Sequence, residues 1–361
     1  MAVQITDELR FSVTGLGFAI ATIHFFAAIA SVPLGRLADR LGSTRSIRLA
    51  AGLAALAFMG IAATARSWTT LVVWLVIGTV GAKLGPPAAN RLLIRKVPPE
   101  RLGVAFGMKQ SAGPVAGMIA GLSVPVIAVT VGWRWAHVLI SLFGIALMLL
   151  ARRSSTGAPR VRETRAPRAV LPNRGALLVL AAAFGLQGAA TTMLVVFYVP
   201  SAVAAGVSPE SAGLSLAASS AGAMVVRILA GALCDRMAAG HLRISAVLLA
   251  IGSVGVFLLA LGRPVTMIVG IGLGLAAAWR QTGVFWYSLV RAYKDTPGRV
   301  TGVITPANHV GSIISPVVFG FLVKGIGYSA AWAFAGVIAL LASVAMVFGG
   351  RRLASMSEAK V

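Results

Sequence analysis

The sequence predicts an all-α integral membrane protein folded as two pseudo-symmetric helical half-bundles. Three observations carry that class. With 58% hydrophobic and 11% charged residues over 361 positions, the chain is too apolar to keep its surface wet. Its hydropathy comes in repeated runs of about 20 residues, the length that crosses a bilayer as a helix. Gly35-Arg36-Leu37-Ala38-Asp39-Arg40 returns 196 residues later as Gly231-Ala232-Leu233-Cys234-Asp235-Arg236, each copy closing a long apolar segment. Between the copies, 152–174 interrupts the hydropathy with Ser154, Ser155, Gly157, Pro159, Pro167 and Pro172 among seven arginines, which is linker composition.

The helices follow in order from the charges that bound them. The first, 13–34, starts after Asp7, Glu8 and Arg10 and runs into Arg36, Arg40, Arg45 and Arg48. The second, 47–65, ends at Arg66, and the third, 69–93, leads to Arg91, Arg95, Lys96 and Arg101. The fourth and fifth, 103–127 and 134–151, flank Arg134 and end in the linker. After it, 175–200 precedes Glu210, 209–233 leads to Asp235, Arg236 and Arg243, and 244–262 and 264–290 flank Arg263. The last two, 300–323 and 328–350, follow Arg291, Lys294 and Arg299, flank Lys324 and end at Arg351, Arg352 and Lys360. Eleven helices result, five in a first half-bundle (1–151) and six in a second (175–350), with a cytoplasmic basic linker (152–174) between them and a tail (351–361).

Short connections make neighbours antiparallel, so one side gathers 23 basic residues and the other holds five: Arg10, Arg66, Arg134, Arg263 and Lys324. The positive-inside rule puts the larger group in the cytoplasm, in a multi-pass protein of the cell membrane, inner or plasma, whose C-terminus is cytoplasmic. The repeat offset gives the apolar stretch 176–198 a counterpart before Met1, so one leading helix is expected to be missing. A net charge of +23 does not signal nucleic acid, because these cations lie between spans rather than on a soluble surface. Cys234 is the sole cysteine, and no His and Cys cluster has metal spacing. No nucleophile stands near a base in sequence, so no metal, cofactor or enzymatic activity is expected. The expected partners are the lipid bilayer and a small-molecule substrate, with the protein acting as a monomer.

Gly35-x-Leu37-Ala38-Asp39-Arg40-x-Gly42, placed between two helices and repeated in the second half, resembles the loop signature of the major facilitator superfamily. The resemblance covers the whole chain less the first family helix. Ser43-Thr44 stands where basic residues usually continue the signature, the second copy ends in Met237, and Trp74 occupies the place of an arginine common in the fourth family helix. Gly113-Pro114 and Gly117 are similar to the glycine-proline motif of some antiporters. From the residues alone, Gly35 lets the chain turn where a helix meets the headgroups, and Asp39 caps the next helix. Arg36, Arg40 and Arg45 hold the loop at the anionic inner surface. What the resemblance implies is that Asp39 latches the two halves in one state of a transport cycle, with Arg91 or Arg95 as partner. The conformational gate then comprises Gly35, Asp39, Arg40, Arg91, Arg227, Asp235 and Arg236.

Four cations lie within spans, Lys83, Lys109, Arg227 and Arg280, while all nine acidic residues lie outside them. An isolated cation at the bilayer centre costs about 3 kcal/mol or more unless it lines water or meets an anion. A water-filled cavity that attracts an anionic substrate resolves that cost. Lys83 and Arg280 are about 14 and 16 residues into spans that start outside, so at about 1.5 Å per residue both come near the midplane. The repeat offset lays Lys83 on Trp279, beside Arg280. Asn90 and Tyr287 follow these two cations at seven residues, on the same helix faces, and Gln110 adjoins Lys109. Asn308 and Ser312 share a face next to His309, and Gln187, Thr191 and Thr192 form a polar patch.

The function expected is secondary active or facilitative transport of a small organic anion, a carboxylate, by alternating access. Lys83 and Arg280 bind it, and Asn90, Gln110, Tyr287 and Asn308 orient it. The alternative is an exporter of amphipathic drugs or metabolites, in which the apolar lining and Gly113-Pro114 outweigh the cations; a sensor that binds without transport is a third reading. Proton coupling would fall to His24, His309 or an acid in the absent helix, with exchange and facilitated diffusion equally open.

Overall fold

Residues 2–98, 105, 108–109, 111–151, 174–236, 241–292 and 297–358 are described by the computed structural model, and every regular element among them is a helix. After the short α1 (Ala2–Glu8), α2 (Val13–Leu41) starts on Ser12, whose hydroxyl accepts from the Gly15 N–H at 3.2 Å. α2 does not stop near residue 34. It continues through the whole loop signature, because 35–41 offers arginine, leucine and alanine with one glycine and no proline. The turn falls instead at Gly42, with φ 78° and ψ 167°, and α3 (Ser43–Thr64) follows without a side-chain cap. Two expectations are thereby corrected: Gly35 lies inside a helix rather than at a turn, and Gly42 takes the N-cap position of α3 while Asp39 stands in the last turn of α2.

α4 (Trp68–Ala82) opens on a capping box in which Ser67 and Thr70 bond reciprocally at 3.1 and 3.2 Å. The single span expected over 69–93 is broken. Lys83 and Leu84 bond only three residues back, to the Val80 and Gly81 carbonyls at 3.1 Å, and the helix resumes as α5 (Gly85–Lys96). Pro86 and Pro87 are the cause, since without N–H groups they leave the Ala82 and Lys83 carbonyls, four residues earlier, without intrahelical donors. α6 (Ala112–Ser123) passes into a π-helical turn, Val124–Ala128, that contains Pro125.

The remaining helices are α7 (Trp133–Leu150), α8 (Arg174–Ala204), α9 (Pro209–Arg236), α10 (His241–Ala260), α11 (Pro264–Ala292) and α12 (Pro297–Glu358). α12 contains both of the last two expected spans, joined at Gly327 with φ 85° and ψ 173°. Seven helical stretches among the described residues are long and apolar enough to cross a membrane, one of them, Trp68–Ala89, running across the α4–α5 break, and Ala112–Ala128 and Pro264–Leu275 are apolar but shorter. Ser211, Ser215, Ser219 and Ser220 dilute the apolar character of α9. Most of 99–110 and all of 152–173, where the fourth span and the linker were expected to start, lie outside the described residues.

The chain forms two compact units, one of Met1–Ala112 with Val126–Arg165 and one of Gly113–Pro125 with Ala166–Val361. In the first, Ile61, Ala65, Leu71, Ala128 and Trp133 are buried, and Ile5, Leu9 and Phe11 pack on them. Close approach there needs small residues: a β-carbon at Gly60 would enter the Trp74 ring, and one at Gly81 would meet Leu53 at 2.5 Å. In the second unit, α8 and α12 touch backbone to backbone, a β-carbon at Gly185 standing 2.8 Å from the Ala307 oxygen. Alongside, Phe197 stacks on Phe319 and Trp332 meets Phe319 edge to face, all three fully buried. Residues 113–125 join this unit through α9, where a β-carbon at Gly121 would lie 2.6 Å from the Gly213 oxygen and 2.7 Å from the Ala217 nitrogen.

Candidate functional site

In the first unit the break in the span positions Lys83. It caps the C-terminal end of α4 with φ −69° and ψ −17°, is half-buried, and makes no ion pair among the described residues. A helix C-terminus carries negative partial charge, and here two carbonyls have also lost their donors, so the backbone favours a cation at this place. The same break corrects the placing of Asn90. Its seven-residue spacing from Lys83 presumes one continuous helix, whereas α5 starts afresh at Gly85. For Asn90, Arg91 and Asp39 the backbone is helical and the side chains lie outside the described residues, as Gln110 does entirely. Arg40 is exposed in the last turn of α2, and Gly35 is half-buried with open space where a β-carbon would be.

In the second unit α11 is continuous, so Arg280 and Tyr287 keep their seven-residue register on one helix, although their side chains lie outside the described residues. The same holds for Asp235 and Arg236 at the end of α9, where Arg227 is half-buried. Asn308 donates from Nδ2 to the Phe184 carbonyl at 3.2 Å, and Thr192 Oγ1 donates to Ser312 Oγ at 3.1 Å. Gln187 Nε2 donates to Thr191 Oγ1 at 3.0 Å. The expected polar face is therefore in part a seam between α8 and α12, with bonds worth about 0.6 kcal/mol each by analogy with other membrane bundles. The amide nitrogen of Asn308 gives one of its two hydrogens to α8, which leaves the second N–H and the carboxamide oxygen for a ligand. A cavity of about 20 Å³ opens beside Gln187 and Thr191, closed by Leu194, Leu249, Gly252 and Gly274. That volume suits one water and not a substrate.

One constellation escaped the reading of the sequence. Arg134 Nη1 donates to Glu8 Oε1, Trp133 Nε1 donates to Glu8 Oε2 at 2.5 Å, and Arg134 Nη2 donates to the Ala65 carbonyl at 2.9 Å. The guanidinium also lies over the Trp133 ring, 4.4 Å from its centroid. The Arg134 and Trp133 donors hold the Glu8 carboxyl below the usual carboxylate range. Glu8 and Arg134 are 126 residues apart, so local pattern could not join them. Among the described residues no group of three His, Cys, Asp or Glu side chains could hold a metal ion.

Helical units with membrane-length apolar spans, one of them broken beside a half-buried cation, have the architecture of a multi-pass membrane transporter. The sequence profile of the Major Facilitator Superfamily matches residues 1–305, and the chain belongs to that family of transporters rather than to a family of enzymes. It is 28% identical over 148 residues to the hexuronate transporter of Bacillus subtilis (strain 168), an alignment covering 40% of this chain and about a third (34%) of that protein. It is 26% identical over 330 residues to an uncharacterized MFS-type transporter of Mycobacterium tuberculosis (strain CDC 1551 / Oshkosh), covering 85% of this chain and 71% of the relative. Its fold is similar, with a TM-score of 0.70 at 15% identity, to a bacterial homolog of the human lysosomal transporter Spinster in an inward-facing, unoccupied conformation, over 98% of this chain and 92% of that one.

Proposed function

We propose that this transporter carries a small organic anion, a carboxylate, across the cell membrane by alternating access. The observation that carries the reading is Lys83, half-buried at the break of a membrane span with no ion pair among the described residues. The likeness to a transporter named for hexuronate, itself an organic anion, supports it. In this reading Lys83 and Arg280 bind the carboxylate, Asn308 offers its second N–H and its carboxamide oxygen, and Asn90, Gln110 and Tyr287 complete the polar lining. Gly35, Asp39, Arg40, Arg91, Arg227, Asp235 and Arg236 serve the gate.

The test is uptake of a panel of labelled organic acids, hexuronates included, into proteoliposomes. Removing one partner of a desolvated charge contact costs about 2–5 kcal/mol, so Lys83→Gln and Arg280→Gln should each lower uptake at least about thirtyfold. Unchanged uptake in both variants would overturn the assignment. Efflux of amphipathic dyes with no organic-acid uptake would favour the exporter.

A further inference from the structure

The turn between α2 and α3 gathers four arginines. Arg36 and Arg40 stand four apart at the end of α2, and Arg45 and Arg48 three apart at the start of α3, so each pair shares a helix face. Gly42 alone separates the two helices, which brings all four around one turn. Arg36, Arg40 and Arg45 are exposed and Arg48 is half-buried. None of the four makes an ion pair among the described residues, and the Nε of Arg48 is buried with no hydrogen-bond acceptor in the protein. A half-buried guanidinium with neither an acceptor for its Nε nor a carboxylate among the described residues is rare, and it leaves this cluster of four cations short of an anion.

Position says what that group is. α3 is long and apolar enough to cross a membrane from Ser43 to Thr64, and in a span so placed Arg45 and Arg48, in its first two turns, stand at the depth of the lipid phosphates. Arginine presents a planar fork of donors that matches phosphate oxygens two at a time. Below Arg45, on the same face of α3, lie Leu49 and Leu56, both exposed large apolar side chains. A cationic head above an apolar stripe has the polarity of a phospholipid seen from the protein side, which a free phosphate ion would not use.

We propose that the α2–α3 turn binds an anionic phospholipid, its phosphate held by Arg45 and Arg48, its acyl chain along Leu49 and Leu56, with Arg36 and Arg40 at the rim. The experiment is native mass spectrometry of the purified protein titrated with phosphatidylglycerol or phosphatidylcholine. Phosphatidylglycerol should bind at least tenfold tighter, and the double variant Arg45→Gln with Arg48→Gln should lose at least tenfold. Arg243→Gln with Arg351→Gln, an equal change of charge at two exposed arginines elsewhere, should stay within twofold. Arg45→Lys with Arg48→Lys keeps the charge and guards against a folding artefact; it should still lose at least threefold, because the planar fork is gone. Equal losses in the glutamine variants at both places, or no loss in the lysine variant, would overturn the site in favour of general surface charge. Displacement of the lipid by inorganic phosphate at matching concentration would overturn the lipid in favour of a free-anion site.

Discussion

Glu8 ties three helix ends together from one carboxylate. It closes α1, accepts from Trp133 and Arg134 at the start of α7, and through Arg134 reaches the carbonyl of Ala65 just past α3. Its folded-state pKa is depressed, by the Arg134 bond first and the Trp133 bond second. The stabilisation is therefore present above the ordinary carboxylate range and is lost as pH falls through the folded-state value. We expect Glu8→Gln to lower the thermal midpoint in detergent at pH 7, and the gap from the parent protein to close in strong acid. A gap that stays constant with pH would show that the carboxylate charge is not what holds these ends. Single residues were unevenly legible. Lys83 stood out because a cation in an apolar run has few structural explanations. The donor pair around Glu8 did not, because nothing local links positions 126 residues apart. Asn308 was read as a substrate-facing residue on a polar helix face, and that pattern is the same whether the amide meets a neighbouring helix or a ligand.

At the scale of elements, glycines divide into those that pack and those that do not. A β-carbon at Gly121 meets backbone atoms of α9 at 2.6 and 2.7 Å, and backbone cannot step aside. Gly121→Ala should destabilise the protein by about 1–3 kcal/mol. Gly35 has nothing within 4 Å and sits inside α2, so Gly35→Ala should gain about 0.5–1 kcal/mol of helix propensity. Thermal unfolding checks both, and a destabilised Gly35→Ala would contradict the helical placing of the signature. If Gly35→Ala is stable yet slow in transport, its part is in the cycle and not in the fold. Gly42 stands at φ 78° and ψ 167°, a conformation essentially confined to glycine, so Gly42→Ala and Gly42→Asn should each cost about 1–3 kcal/mol. That the chain is built of apolar, membrane-length helices was legible from hydropathy, and seven such stretches stand among the described residues. Where they bend was less so, because hydropathy runs unbroken across Pro86 and Pro87 while hydrogen bonding does not. The end of α2 was misplaced for the opposite reason: charge marks where a helix leaves the bilayer, not where it stops being helical.

For the whole molecule, the basic excess on one set of connections proposes a cytoplasmic C-terminus. A fluorescent-protein fusion at the C-terminus should glow and an alkaline phosphatase fusion there should be inactive; the reverse result would invert the orientation. The repeated signature proposes a two-part plan of 1–151 and 175–350, since a duplicated loop implies a duplicated bundle. Spatial membership is another matter, because contact assigns residues 113–125 to the unit built mainly from the second half of the sequence. The two parts are thus interleaved rather than consecutive. Severing the chain in the linker would strand a segment of the first fragment away from the surface it was shaped for, with Gly121 bare of its neighbour. Fragments made that way should fold poorly when expressed singly and recover when produced together, a complementation that consecutive parts would not need.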